Sequence, residues 1–157
     1  MISKVLVAVK DGHLMEVTEE FISGLQFTNT ASIKALHVIE PVQTIGRNNS
    51  EETQEEASTL IESTCKRLTK RLSSRFASLN VTGCIRKGSI NQEIVDEACS
   101  WGADLILMGP YGRAGGSKFL HASAATTHLP NSPCSVVLLY AKHAKHKNAS
   151  SPALTQQ

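Results

Sequence analysis

A chain of 157 residues with 41% apolar content fits one domain built round one core, and its longest apolar runs, 105–108 and 136–140, fall far short of the roughly 20 residues that a membrane helix needs. Lys plus Arg exceed Asp plus Glu by 16 to 14, but Lys142, Lys145 and Lys147 follow the last expected strand and leave a nearly neutral body, 13 against 14. Nucleic-acid binding calls for a clustered basic face and usually for stacking aromatics, and only 4% of the residues are aromatic, so neither a membrane nor a nucleic acid is an expected partner.

The chain enters directly on a strand-like run, without a charged leader, a long apolar centre or a small-residue cleavage site, and the expected location is the cytoplasm. Lys4 to Val9 is short, β-branched and almost wholly apolar, as a strand covered on both faces should be. Leu14, Thr18, Phe21, Ile22 and Leu25 then recur at three- and four-residue spacings, which predicts a first helix ending near Thr28 to Thr30. Ile33 to Ile39 reads as a second strand, closed by Glu40-Pro41.

From Glu51 to Phe76 there is neither Gly nor Pro, and Ala57, Leu60, Ile61, Cys65, Leu68, Leu72 and Phe76 form one stripe. This predicts a long amphipathic helix, capped by Asn49 or Ser50. Glu51, Glu52, Glu55 and Glu56 lie at its positive end, and Lys66, Arg67, Lys70, Arg71 and Arg75 toward its negative end. Val81 to Arg86 is a weaker third strand. Ser89 and Gln92 have the spacing of a capping box, and Ile94, Val95, Ala98 and Cys99 fit one face of a third helix that Gly102 stops. Leu105 to Met108 is the fourth strand, Lys118 to Leu129 an Ala-rich fourth helix, and Val136 to Tyr140 the fifth strand. Residues 1–141 thus read as one domain, followed by a loose polar tail over 142–157.

Strands that alternate with helices predict an α/β fold, an open parallel sheet made by right-handed crossovers. Ligands in such sheets bind beyond the carboxyl ends of the strands, where the strand order reverses. The loop after strand four is the segment of interest: Gly109-Pro110-Tyr111-Gly112-Arg113-Ala114-Gly115-Gly116-Ser117 carries four glycines in eight positions and leads into a helix containing Ala122-Ser123. Glycines allow backbone amides to close on an anion, and a following helix adds its positive end. A phosphate cradle and a plain surface turn are both compatible with that spacing.

Gly-x-x-Gly, nine residues, then Gly-(Ser/Thr) is the nucleotide signature of ATP-binding universal stress proteins, and Gly109, Gly112 and Ala122-Ser123 resemble a degraded form of it. The resemblance runs over almost all of residues 3–140. It includes Lys4 to Val9, Leu36-His37-Val38-Ile39-Glu40-Pro41, Gly88 with the helix after it, Trp101 to Gly109 and Ser132 to Val137. It implies a five-stranded sheet in the order 3-2-1-4-5, a homodimer joined through strand five (residues 135–140), an unidentified protein partner, and a stress-response regulator that binds ATP or AMP without being an enzyme. In that family's arrangement backbone near Val38 meets the adenine, and Ala8, Val9, Lys10 and Asp11 at the end of strand one face the adenosine half. Gly109 and Gly112, just after Met108, which also lines the site, hold phosphate through their amides, Ala122 and the Ser123 hydroxyl complete the pocket, and Arg113 is placed to neutralise phosphate charge.

Three positions depart from the family's pattern. Lys10 stands where ATP binders usually carry an Asp, with Asp11 one residue late; Ala122 replaces a glycine; and Pro110 removes an amide donor. These departures support a second expectation, a dimeric interaction module that has lost its nucleotide. Slow ATP hydrolysis ranks third.

Enzyme signatures are missing. The sequence has no Gly-x-x-x-x-Gly-Lys-(Ser/Thr) loop, no Gly-x-Ser-x-Gly elbow, and no Ser-Gly-Gly-x-Asp-Ser run after strand one. Asp11 alone is a poor Mg²⁺ site beside ATP, and the His143/His146 pair is a poor metal site without a carboxylate or thiol. His121 and His128 lie seven apart on roughly one face of the fourth helix, with a role at the edge of a nucleotide open to His121, and no metal is expected. His37 and Trp101 read as packing residues. Cys65, Cys84, Cys99 and Cys134, no two within four residues, read as free thiols.

Overall fold

The computed structural model describes residues 1–8, 14–40, 51–109 and 129–140, with the side chains of 51–58, 60 and 61 outside that description. Its elements are β1 (Ile2–Ala8), α1 (Met15–Ser23), β2 (Phe27–Ile39), α2 (Glu51–Arg75), β3 (Asn80–Lys87), α3 (Ile90–Trp101), β4 (Leu105–Met108) and β5 (Ser135–Leu138). The strands form one sheet in the order β3-β2-β1-β4-β5, and every pair is parallel. The expected α/β class and strand order are those observed.

Alternation along the strands divides the core into two layers, because successive side chains of a strand point to opposite faces. Val5, Val7, Ile33, Ala35, Leu105 and Leu107 face α1 and α2, where Ile22, Leu68 and Leu72 meet them. Leu6, Ala8, Leu36, Val38, Ile106 and Met108 face the other way, where Ile94 and Ala98 of α3 meet them. β1 and β4 are covered on both sides, which is why their sequences carry almost no polar residue. At the amino-terminal end Asp104 ties the two together: its Oδ2 accepts from the amides of Ser3 and Lys4, both at 2.9 Å.

Several expectations need correction. Helix one stops at Ser23, well before Thr28: the Gly24 amide donates to Phe21 O, and the Ile2 amide donates to Gln26 O and draws the chain into the sheet, so Phe27 already pairs with Ile2. Sheet pairing here prevails over helical spacing. The capping box does not form: Ser89 sits at the N-cap position without a side-chain cap bond, and the Gln92 side chain donates to Asp96 instead, at 2.8 Å. Cys99 is exposed, and the residue that turns inward on α3 is Glu97, at 4% exposure. The fifth strand runs Ser135–Leu138, and Tyr140 beyond it is exposed. Gly102 does end α3, with φ +70°.

Asn49, Ser50 and the proposed fourth helix, apart from Leu129, lie outside the described residues, as does the tail. Among the described residues no helix is long and apolar enough to cross a membrane. The four cysteines are unpaired, and His37 is buried.

Candidate functional site

The chain leaves β1 for β2 and β3 on one side, then returns to place β4 on the other, so the order reverses between β1 and β4. At that point Ala8 pairs with Met108, the last register pair of the two strands. Both are fully buried, and Gly109 directly after Met108 is buried as well. β2 outruns its neighbour. Val7 pairs with Ala35, so Val38 stands three residues past that pair, roughly 10 Å further along the strand at about 3.3 Å per residue. Ala8, Val38 and Met108 share one apolar cluster with Leu36, Ile106 and Leu129, at the end of the sheet where open α/β folds bind their ligands. The Met108 carbonyl is not free: it accepts from the Leu139 amide at 2.8 Å, which fixes the exit of β4 against β5.

Of the sequence-predicted site residues, Ala8, Val38, Met108 and Gly109 are brought together at the carboxyl end of the sheet. Val9, Lys10, Asp11, Gly112, Arg113, Ala122 and Ser123 lie outside the described residues, as does Pro110. The four that are described offer apolar surface and backbone, and none carries a charge. Such a surface suits a flat base and its sugar better than a phosphate chain. Among the described residues no group of three or more His, Cys, Asp or Glu could hold a metal ion.

A charged cluster under α3 escaped the sequence reading. Glu97 Oε1 accepts from Lys34 Nζ on β2 at 2.7 Å, and Oε2 accepts from Arg86 Nε on β3 at 2.7 Å. Burial pushes the Glu97 carboxyl up, but the hydrogen bonds and charges of Lys34 and Arg86 outweigh it and hold the group below the ordinary glutamate range. Lys34 Nζ also lies 4.5 Å from the centre of the Trp101 ring, and Lys4 Nζ donates to Trp101 O at 2.8 Å. The signal was present in the spacing: Glu97 falls three residues after Ile94, on the same helical face, and Lys34 and Arg86 alternate in phase with the inward residues of their strands. Arg86 pairs with Val38 in the ladder, so this cluster braces the end of β2 that holds Val38.

Residues 1–139 match the sequence model of the universal stress protein family. No curated protein matches the chain. Among solved structures, the hypothetical protein MJ0577, the subject of a structure-based assignment of biochemical function, superposes with a TM-score of 0.67 at 19% identity, covering 88% of this chain and 96% of that one. The universal stress protein UspA from Lactobacillus plantarum gives 0.55 at 16%, covering 88% and 98%. A universal stress protein in complex with cAMP gives 0.53 at 14%, covering 90% and 100%. At these identities the likeness establishes a shared fold.

Proposed function

Because this chain belongs to the universal stress protein family, we propose that it is an adenine-nucleotide-binding homodimer of the cytoplasm, a stress-response regulatory module whose ligand changes the surface shown to a protein partner. The reading rests on one observation above all: Ala8, Met108 and Gly109 meet at the point where the strand order reverses, with Val38 projecting past them. A neighbour of the same fold was solved in complex with cAMP, which supports a nucleotide as the ligand class. In this reading the described apolar base takes adenine and ribose. The phosphates of ATP or AMP fall to Gly112, Arg113 and Ser123, with Mg²⁺ accompanying ATP, and residues 142–157 form a tail outside the domain. The protein holds its ligand without turning it over, since no nucleophile, base and oxyanion set accompanies the site in the sequence.

Calorimetric titration of the full chain with MgATP and with AMP tests this. Saturable heat with a matching rise in melting temperature supports it, and the absence of both at millimolar ligand removes it. The second reading, a dimeric interaction module without nucleotide, is favoured by Lys10, Pro110 and Ala122. Replacing Lys10→Asp and Ala122→Gly together is expected to tighten binding by about tenfold, equivalent to about 1.4 kcal/mol. Unchanged affinity in that variant would place the defect, or the pocket, elsewhere.

A further inference from the structure

Far from the strand reversal, α2 packs onto β3, and a surface groove of about 560 Å³ runs along the seam between Glu62–Ser73 of the helix and Gly83–Ile85 of the strand. Gly83 lets the helix come this close to the strand, since a Cβ there would run into the Thr69 hydroxyl and touch Cys65 Sγ. Ile85 is 37% exposed on the strand, unusual for a large apolar side chain. The thiol at the base is inert: burial pushes the Cys65 pKa up, and its S–H points at Cys84 O, 3.9 Å away. Lys66 and Lys70 stand on the rim, and neither makes an ion pair among the described residues; Glu62 is the one described carboxylate lining the groove. The basic character continues along α2 in Arg67, Arg71 and Arg75, of which Arg71 alone is paired, with Glu19.

Among the described residues β3 is an edge strand, paired with β2 alone, and its outer row of backbone groups completes no ladder with any of them. A groove between a free strand edge and a helix is the architecture that accepts an extended peptide as an added strand. Its length suits a short segment: the eleven helical rises from Glu62 to Ser73 span roughly 16 Å, or about five residues of extended chain. Its charge selects the segment. Lys66 and Lys70 are about 6 Å apart along the helix axis, close to the roughly 6.6 Å between alternate residues of a strand. Acidic side chains at every second position of an added strand therefore meet both ammonium groups in turn, and the intervening side chains point to the other face. We infer that the β3–α2 groove is a docking site for an acidic, extended peptide segment of a protein partner, which adds to the sheet at β3. This inference does not depend on the nucleotide reading.

The test uses the full chain and a fluorescein-labelled peptide of alternating valine and glutamate, seven residues long, followed by fluorescence anisotropy and by backbone amide shifts. Saturable binding is expected, with shifts concentrated in 82–86. Lys66→Glu with Lys70→Glu, both exposed positions on a helix that keeps its circular dichroism, is expected to weaken binding at least tenfold. N-methylation of one set of alternate peptide amides should abolish binding while methylation of the other set leaves it intact, a result that simple charge attraction cannot give. No binding up to about 1 mM, indifference to the double variant, tolerance of both methylation patterns, or tighter capture of a single-stranded oligonucleotide by the same lysines would each overturn the proposal.

Discussion

With both carboxylate oxygens engaged, Glu97 joins β2, β3 and α3 through Lys34 and Arg86. Its carboxyl is held below the ordinary range in the folded state, so the stabilisation it gives is complete above the unfolded value of about 4.3 and fades as the pH falls through the folded one. Glu97→Gln is accordingly expected to cost about 1–3 kcal/mol at neutral pH, with the gap to the parent narrowing below about pH 4. Urea unfolding at pH 7 and pH 3.5 measures it, and a gap that does not change with pH would contradict the assignment. At Gly102 the backbone φ is +70°, a conformation that costs an L-residue about 1 kcal/mol, so Gly102→Ala should lower stability by about that amount without altering the fold. Gly102 was legible in the sequence because a left-handed stop has a residue preference. Glu97 was legible only in part: its spacing from Ile94 places it on the inward face, but a charge there becomes stable only when two strands supply its partners.

At the scale of elements, β1 and β4 are the strands most completely enclosed, and their amides should exchange slowest with solvent, ahead of those at the outer side of β3 and in β5. Equal protection across the sheet would contradict this ranking. The strands with uninterrupted apolar runs were read at nearly their observed positions, because burial on both faces leaves no room for polar residues. The border between α1 and β2 was misread because Leu25 continues the helical spacing of Phe21 and Ile22 while the Gln26 carbonyl is already committed to Ile2. β5 closes the other edge, with Tyr140 48% exposed just past its end. If two copies join through 135–140 as proposed, sedimentation should give a two-chain species that Tyr140→Asp weakens at least tenfold. A monomer at all concentrations would remove that interface and leave the sheet topology untouched.

For the molecule as a whole, the order β3-β2-β1-β4-β5 determines where a ligand can enter, because only at the reversal do two neighbouring crossovers leave in opposite directions. The hydrophobic pattern of the sequence was sufficient to give the alternating architecture, and the glycine spacing after Met108 pointed to the same end of the sheet. Which side chains approach a phosphate was not readable with equal force, since Lys10, Pro110 and Ala122 replace the residues whose chemistry would have spelled it out. The most direct measurement is a backbone amide shift map of the isotopically labelled full chain during titration with MgATP. Binding at the strand reversal predicts saturable shifts at Ala8, Val38, Met108 and Gly109, with those of Asn80–Lys87 at the outer edge unmoved. Saturable shifts confined to any other part of the fold, or none at millimolar nucleotide, would contradict it.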